Sequence, residues 1–566
     1  MNVKAKINKR IVVLCIVLFF VALGYQLSLS HGISFFWEDF DVYHLYWQDS
    51  DVLRVIGEQF LPETIRPKRI VLTLSIAGNY LKQLFVPERL FQIGFDAYSF
   101  NDRPYQFLTW DILQIYFNKE VILYRIFKSA VFAISACLVF LIINRISALF
   151  ALFGVLLYFT TSEVWLSTIY LSHPGPIAQC ATLLSVLIFI KLLEKTGAGF
   201  KKTCLYYLSI LLVSNFAVLT IGDGRYLAII FLLTILFFRP RQLYLHIIPL
   251  SILLLTEFPL LGYIKKFFFA RTFSPINLSS HGNTQTSTLS SLLTAFSNFE
   301  FVIMALGKLL LLLLGGMILF SLYKYLFNKP QNQGKTAVPN RALSEKLFLF
   351  TLWFMATLFM SVRARSLRYG NTLYNFQLYD LAYFIAPFII TSCYYVSLTS
   401  RKIFNKNLRL GFIILCSVIF ISQIYINNQR LVRTKRVWTD NFVSWQDSKE
   451  YVENNSDSAL VLAFTEMHYR PFLFYGPKNR VLNTSDSYET SQFCDLSFID
   501  AKFKEGYNDI FVIGSEELSF RGSSENMALK QSIVLNKDCD HLCIYLKNNA
   551  GNQYKPQKYI YHFRLK

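Results

Sequence analysis

The chain has 566 residues, of which 54% are hydrophobic, 17% aromatic and only 16% charged, with a mean hydropathy of +0.37. A soluble chain of this length carries about 25% charged residues, so this composition indicates a polytopic membrane protein. The net charge of +20 falls mostly in short segments between apolar runs, where orientation in a bilayer accounts for it, and this argues against nucleic acid as a partner.

The chain opens with Lys4, Lys6, Lys9 and Arg10 ahead of an apolar run from Ile11 to about Ser28. The run is longer than a signal-peptide core of about 7–15 residues and lacks a small-residue cleavage site, so it reads as an uncleaved first membrane helix with its N-terminus inside. Residues 31–120 then form a long first external segment. It begins with Phe35-Phe36-Trp37-Glu38-Asp39-Phe40-Asp41 and continues through Tyr43, His44, Tyr46 and Trp47. Carboxylates among aromatics at a membrane surface must be solvated, paired or used. Two readings follow: an active site, or an aromatic belt at headgroup level with its acids in water. Within this segment, 70–85 has the spacing of a helix lying in the interface.

Further apolar runs, each near the length that spans a hydrocarbon core of about 30 Å, lie near 121–143, 147–166, 176–194, 204–221, 226–238, 243–261, 301–326, 346–362, 380–399 and 410–427. With the first helix they predict about eleven spans. With the N-terminus inside, the internal connections carry Arg145, then Lys191, Lys195, Lys201 and Lys202, then Arg239 and Arg241, then Lys324 to Arg341, then Arg401 to Arg409. Each agrees with the positive-inside rule. Lys265, Lys266, Arg271, Arg363, Arg365 and Arg368 fall outside, against that bias. Binding an anionic lipid phosphate or touching lipid headgroups would each explain them.

Past residue 428 charge rises and spans stop. Short runs such as Leu460-Val461-Leu462-Ala463-Phe464, Ile510-Phe511-Val512-Ile513 and Cys543-Ile544-Tyr545-Leu546 predict a small α/β domain, and an odd span count puts it outside. Of the nine cysteines, Cys137, Cys180, Cys204, Cys393 and Cys416 lie in apolar spans as small hydrophobes. Cys539 and Cys543 are spaced to close a small disulfide in an oxidising compartment.

An inside N-terminus, the acidic pair Glu38-Asp39 just after the first helix, a long first external loop, about eleven spans and an external C-terminal domain together resemble the GT-C class of integral-membrane glycosyltransferases. That class includes protein O-mannosyltransferases, the lipid A aminoarabinose transferase and the dolichol-linked mannosyl- and glucosyltransferases. The resemblance covers the whole chain in layout; in sequence it rests on Glu38-Asp39. It implies a GT-C-like catalytic domain over 1–427 and an extracytoplasmic α/β domain over 428–566. It further implies a polyprenyl-phosphate-linked sugar donor, a glycan, glycolipid or protein acceptor at the extracytoplasmic face, and inversion at the anomeric centre. Asp39, or its neighbour Glu38, would then deprotonate the acceptor hydroxyl, and burial near an apolar surface suits a carboxylate to that role. Asp41 would be a supporting group.

A lipid-phosphate leaving group needs cationic donors, for which arginine's fixed fork is suited. Arg225 in Gly222-Asp223-Gly224-Arg225 and the cluster Arg363-x-Arg365-x-x-Arg368 are placed at external helix ends; Arg225 could equally pair with Asp223 across a tight turn. His173 in Ser172-His173-Pro174-Gly175-Pro176 either binds phosphate or acceptor or shapes a turn, and His44 either does the same or is solvated. The loop 262–300, with Lys265, is long enough for a lid over the donor or is simply disordered. Metal-independent action is expected, although Glu38, Asp39 and Asp41, with Asp223 and Glu163 beyond them, offer oxygen ligands.

Two rival classes are an O-antigen ligase or polymerase, and a lipid or solute transporter or envelope-assembly scaffold. The first places its large functional loop late, and a transporter carries ionisable groups within its spans and repeated halves. A polar load gathered at one face favours an outward-facing enzyme. The wealth of Lys, Asn, Ile and Phe suits an AT-rich bacterial genome, hence an inner membrane; Asn277, Asn454 and Asn483 leave an endoplasmic-reticulum location open.

Overall fold

The structure, a computed structural model, describes residues 9–31, 117, 120–171, 173, 175–195, 199–220, 227–257, 307, 311, 315, 338–369, 382–403, 405–455, 459–463, 480–483, 493–495, 501–514, 519–521, 527–536 and 557–565. Its helices are α1 (Lys9–Ser30), α2 (Val121–Asn144), α3 (Ala148–Thr160), α4 (Ser162–Ile169), α5 (Gly175–Glu194), α6 (Phe200–Thr220), α7 (Leu227–Phe238), α8 (Leu243–Glu257), α9 (Val338–Tyr369), α10 (Ala382–Lys402) and α11 (Lys406–Asn455).

Among the described residues five helices are long and apolar enough to cross a membrane: α1, α2, α5, α10 and the first 30 residues of α11. Two further pairs are broken, α3 with α4 by 56° and α7 with α8 by 113°, giving seven if each pair is one span. The expected runs 204–221 and 346–362 are helical as α6 and α9, outside those seven. Run 301–326 lies outside the described residues except at three isolated positions, 307, 311 and 315. The expected pair of spans 226–238 and 243–261 is a sharp bend instead. At 12 residues, α7 is about 18 Å long, short of a hydrocarbon core of about 30 Å.

The break between α3 and α4 has a local cause. Thr160, Thr161 and Ser162 follow one another, and the first two donate their hydroxyls to carbonyls one turn back, Thr160 to Leu156 at 2.9 Å and Thr161 to Leu157 at 2.7 Å. Such back-bonding competes with the helical ladder. Thr161 leaves it in an extended conformation, φ −78° and ψ 119°, so it ends α3 and begins α4.

The bundle core is aromatic and aliphatic. Phe189 of α5 stacks on Phe231 of α7 at 3.9 Å, Phe350 of α9 meets Tyr394 of α10 edge-on at 4.4 Å, and Phe132 of α2 stacks on Tyr158 of α3 at 5.4 Å. The outward faces of α1 and α11 stay apolar, with Val13, Ile16, Val17 and Phe20 exposed on one and Leu410, Ile414, Leu415 and Val418 on the other. Lipid tails are the medium that suits them.

Helix α11 has 50 residues, about 75 Å of continuous helix, so the change in composition at 428 is not a change of secondary structure. The strands that follow form a mixed sheet ordered β2 (Arg480–Asn483), β1 (Leu460–Ala463), β4 (Asp509–Gly514), β7 (Gln557–Leu565), β6 (Met527–Asn536), in which β1 is parallel to β2 and β4, and β7 is antiparallel to β4 and β6. Strands β3 (Phe493–Asp495) and β5 (Ser519–Arg521) pair in parallel separately. Two of the three runs expected as strands are β1 and β4; Cys543–Leu546 lies outside the described residues, as do Cys539 and its expected pairing. In the sheet, His562 Nε2 lies 2.7 Å from Asp509 Oδ1 and its ring stacks on Phe511 at 4.1 Å, both groups buried.

Gly154 sets how closely α3 can approach α2 and α10: a Cβ there would sit 2.5 Å from Ile143 Cδ1 and 3.2 Å from Ile389 Cγ2. Ile143 is the movable neighbour, so Gly154→Ala should be nearly neutral. Gly154→Leu should lower stability by about 1–3 kcal/mol through overpacking, measured as thermal unfolding in detergent.

Candidate functional site

Hydrogen bonds between helices sort the polar groups of the bundle to its two ends. At one end Arg239 of the α7–α8 bend makes a two-pronged pair with Glu345 of α9, at 2.6 and 2.9 Å, and also donates to Leu193 O of α5. Glu194 accepts from Arg145 and from Lys346, and Arg401 Nη2 donates to Ile146 O at 2.8 Å. Lys191, Lys195, Lys201, Lys202, Arg241, Lys406 and Arg409 belong to the same end by helix direction.

The opposite end holds the C-terminus of α1, the N-termini of α2, α5 and α10, the α3–α4 break and residues 423–435 of α11. Here many of the polar groups are buried. Glu163, in the first turn of α4 and 1% exposed, faces Arg430 of α11, with Arg430 Nη2 2.6 Å from Glu163 Oε1. Ser162 Oγ donates to the other carboxylate oxygen at 3.0 Å. One turn deeper on α11, Asn427 Nδ2 reaches Thr161 Oγ1 at 3.5 Å, and below it Gln423 Nε2 donates to Asn427 Oδ1 at 2.7 Å. Positions 423, 427 and 430 are spaced by four and three, so they share one face of α11. They form a polar ladder about 10 Å tall against the helix break. Gly307, with φ +83°, packs against it: a Cβ there would sit 2.2 Å from Gln423 Oε1.

Two buried cations hold the other side of the break. Arg125 of α2 donates to Ile169 O at the C-terminus of α4, and Lys128, one turn on, donates to His173 O in the turn that follows. Terminal carbonyls of a helix lack intrahelical partners, and cations there complement the dipole. His173 is itself buried, accepts from Gly175 N–H through Nδ1 at 3.3 Å, and lies 6.2 Å ring to ring from Tyr383 of α10. Its described bonds are those of a turn residue at the start of α5. Gln179 links Tyr158 at 3.0 Å to Ala382 O at 3.0 Å across α3, α5 and α10.

Three further polar side chains complete this end. Gln26 of α1 and Trp165 of α4 are fully buried. Neither atom of the Gln26 carboxamide, nor Trp165 Nε1, nor the half-buried Tyr25 hydroxyl, has a hydrogen-bond partner among the described residues. A buried donor or acceptor left unpaired costs about 1–3 kcal/mol. Lys435 Nζ of α11 bonds to Ser28 O at 3.2 Å, and Tyr25 stacks on Phe159 at 5.7 Å, which joins the end of α1 to α11 and to the last turn of α3.

Of the residues singled out by sequence, His173 and Glu163, the latter only as a possible oxygen ligand, lie in this region with their side chains described. Arg363, Arg365 and Arg368 are on the last third of α9; their backbone is helical. Glu38, Asp39, Asp41, His44, Asp223, Arg225 and Lys265 lie outside the described residues. Arg430, Asn427, Gln423, Gln26, Trp165, Arg125 and Lys128 were not singled out. The signal was present, since polar residues inside apolar runs mark function more often than packing, and the 423–427–430 spacing marks one face. Among the described residues, no group of three or more His, Cys, Asp or Glu side chains is placed to hold a metal ion. No family model matches the chain, and no curated protein matches it.

The Glu163–Arg430 pair is unequal, the carboxylate 1% and the guanidinium 25% exposed. Arg430→Met strands a carboxylate in the core and should cost about 3 kcal/mol, at the lower end of values for breaking buried pairs. Glu163→Gln leaves a cation that can turn toward the solvated end, so it should cost less. The double Glu163→Leu/Arg430→Met variant should recover most of the loss, read as thermal unfolding of the purified protein.

Proposed function

We propose that the chain is a GT-C-type glycosyltransferase of about eleven spans. It moves a sugar from a polyprenyl-phosphate donor to a glycan, glycolipid or protein acceptor at the extracytoplasmic face of a bacterial inner membrane. The observation that carries this reading is the segregation of polar groups in an otherwise apolar bundle. A buried, charge-bearing ladder, Gln423–Asn427–Arg430 with Glu163, stands at one end, and a dense set of lysines and arginines at the other. By the positive-inside rule the lysine-rich end is cytoplasmic, so the ladder opens outward.

Placement along the helices supports the chemistry. Helix α1 ends with Ser30 at the ladder end, and Glu38 follows eight residues later, so it stays within about 28 Å of that point even in a fully extended chain. Lys346 and Arg363 are 17 residues apart on α9, about 26 Å, which carries the Arg363–Arg368 segment across to the ladder end. Asp39 or Glu38 is the base that removes the acceptor proton. Asp41, His44, Asp223, Arg225, Lys265 and the α9 arginines complete the donor site, in which the positive charges of Arg225, Lys265 and the arginines offset the charge developing on the lipid phosphate as the sugar–oxygen bond breaks. Arg433 and Lys435 of α11, one turn beyond the Glu163–Arg430 pair, add to that charge. The strands after α11 would form the extracytoplasmic α/β domain. No metal is needed for this scheme.

The two broken helix pairs favour a second reading, a transporter, because discontinuous helices line many transport sites. Turnover separates the two. Purified protein in nanodiscs, given polyprenyl-phosphate hexoses and envelope glycolipids, should release polyprenyl phosphate, and Asp39→Asn should slow this by at least about 100-fold without lowering the unfolding temperature. Arg365→Ala and Arg368→Ala should weaken donor binding. Full activity in Asp39→Asn removes the base assignment, and substrate movement across vesicles without covalent change replaces the transferase by the transporter.

A further inference from the structure

We infer that a groove between α1 and α2 holds one acyl chain of an anionic phospholipid from the cytoplasmic leaflet, whose headgroup sits at Lys9 and Arg10. A cavity of about 380 Å³ opens there, lined by Ile11, Val12, Cys15, Ile16, Phe19 and Phe20 of α1 and by Leu141 of α2. An apolar cavity of about 150 Å³ already takes up a benzene ring, so this one has room for a hydrocarbon chain.

The sequence explains the shape of the groove. Ile11, Cys15 and Phe19 make one row at a spacing of four, and Val12, Ile16 and Phe20 make the row beside it. Cys15 is the smallest of the six and stands one turn from Ile11 and one from Phe19, which leaves the hollow between them. Its carbonyl accepts from Cys137 Sγ at 3.3 Å and ties this turn of α1 to α2. Val12, Ile16 and Phe20 are 42%, 52% and 64% exposed, so the groove opens toward lipid. Phe19 and Phe20 meet edge-on at 5.4 Å and mark its deep end.

The lining selects hydrocarbon, and the length selects which kind. Ile11 to Phe20 covers nine residues, about 14 Å, close to one leaflet of a hydrocarbon core of about 30 Å. A membrane helix of a partner would need a face running through the whole core, whereas an acyl chain needs one leaflet. Charge then selects the headgroup. Lys9 and Arg10 are exposed at the start of α1, next to Ile11, and Lys4 and Lys6 precede them in the chain. They stand at the lysine-rich end, which the positive-inside rule assigns to the cytoplasm. Glu194 and Glu345 at that end are already paired, the first with Arg145 and Lys346 and the second with Arg239. The charge left facing the headgroups is therefore positive, and anionic lipid is favoured over zwitterionic lipid.

The test places the purified protein in phosphatidylcholine nanodiscs with an equal small share of phosphatidylglycerol or phosphatidylcholine carrying a photoreactive diazirine in the acyl chain, and maps the label by peptide mass spectrometry. In wild type the phosphatidylglycerol probe should label residues 11–20 and Leu141 at least about fivefold more than the phosphatidylcholine probe, the preference expected from one or two basic residues at the surface. Lys9→Gln/Arg10→Gln should remove the preference while leaving the label in the groove. Ile16→Trp, at an exposed position that tolerates a larger side chain, should cut labelling by both probes and keep the wild-type unfolding temperature. Equal labelling by the two probes in wild type, or labelling unchanged by Ile16→Trp, overturns the site. Displacement of the label by undecaprenyl phosphate gives the groove to the donor's chain, and cross-links between α1 segments of two copies give it to a second copy; either result overturns the phospholipid.

Discussion

The ion pair between Glu163 and Arg430 is the constraint on which the ladder end of the bundle depends. A carboxylate at 1% exposure inside a membrane bundle is tolerable only beside a cation, and the nearest one comes from a helix that begins more than 240 residues later in the chain. For the pair to form, α3 must stop short, and the three hydroxyl residues Thr160, Thr161 and Ser162 supply that stop by bonding back to their own helix or to Glu163 itself. Once α4 has turned away, its C-terminal carbonyls need partners, and Arg125 and Lys128 supply them from α2. The break, the pair and the two buried cations are one arrangement.

The lysine-rich end is held by the same kind of bond for a different purpose. Arg239 grips Glu345 with both prongs and also takes Leu193 O, so one guanidinium ties α5, the α7–α8 bend and α9 together. Glu194 receives Arg145 and Lys346, while Arg145 Nε has no partner among the described residues. At the ladder end the Gln26 carboxamide and the Trp165 indole N–H have none either.

Much of the helical layout was legible because a membrane leaves few choices for an apolar run. The runs 121–143, 176–194 and 380–399 become Val121–Asn144, Gly175–Glu194 and Ala382–Lys402, within three residues at each end. Where reading stopped short, the cause is local competition or distance. Nothing in hydropathy separates a continuous span at 147–166 from one broken at Thr161, since hydroxyls inside an apolar run are compatible with both. The bend at Arg239 was hidden in the same way: two apolar runs with a basic link read as two crossings, although the first is a helix of only 12 residues. The candidate site was legible only in part. Gln423, Asn427 and Arg430 announce a polar face by their spacing, but which acid that face meets is a matter of tertiary contact, and the choice of Glu163 could not be made without the fold. The acidic motif Glu38-Asp39 was conspicuous for its position after α1, and lies outside the described residues.

The length of α11 joins these parts mechanically. Helix α11 is anchored at two points about one turn apart, Arg430 on Glu163 and Lys435 on Ser28 O, and then continues for 20 more residues, about 30 Å, to the strands. An α-helix over that distance is stiff, so a load on its far end acts on the anchors as a lever. Both anchors stand at the ladder end, one through the pair that stands above the ladder and the other through the end of α1. A tilt of the projecting half cannot be absorbed by the anchored turns without moving Arg430 against α4 or drawing α1 with it. The segment after residue 435 therefore bears on the residues around Glu163 and Arg430, and its position is part of how that end of the bundle is shaped.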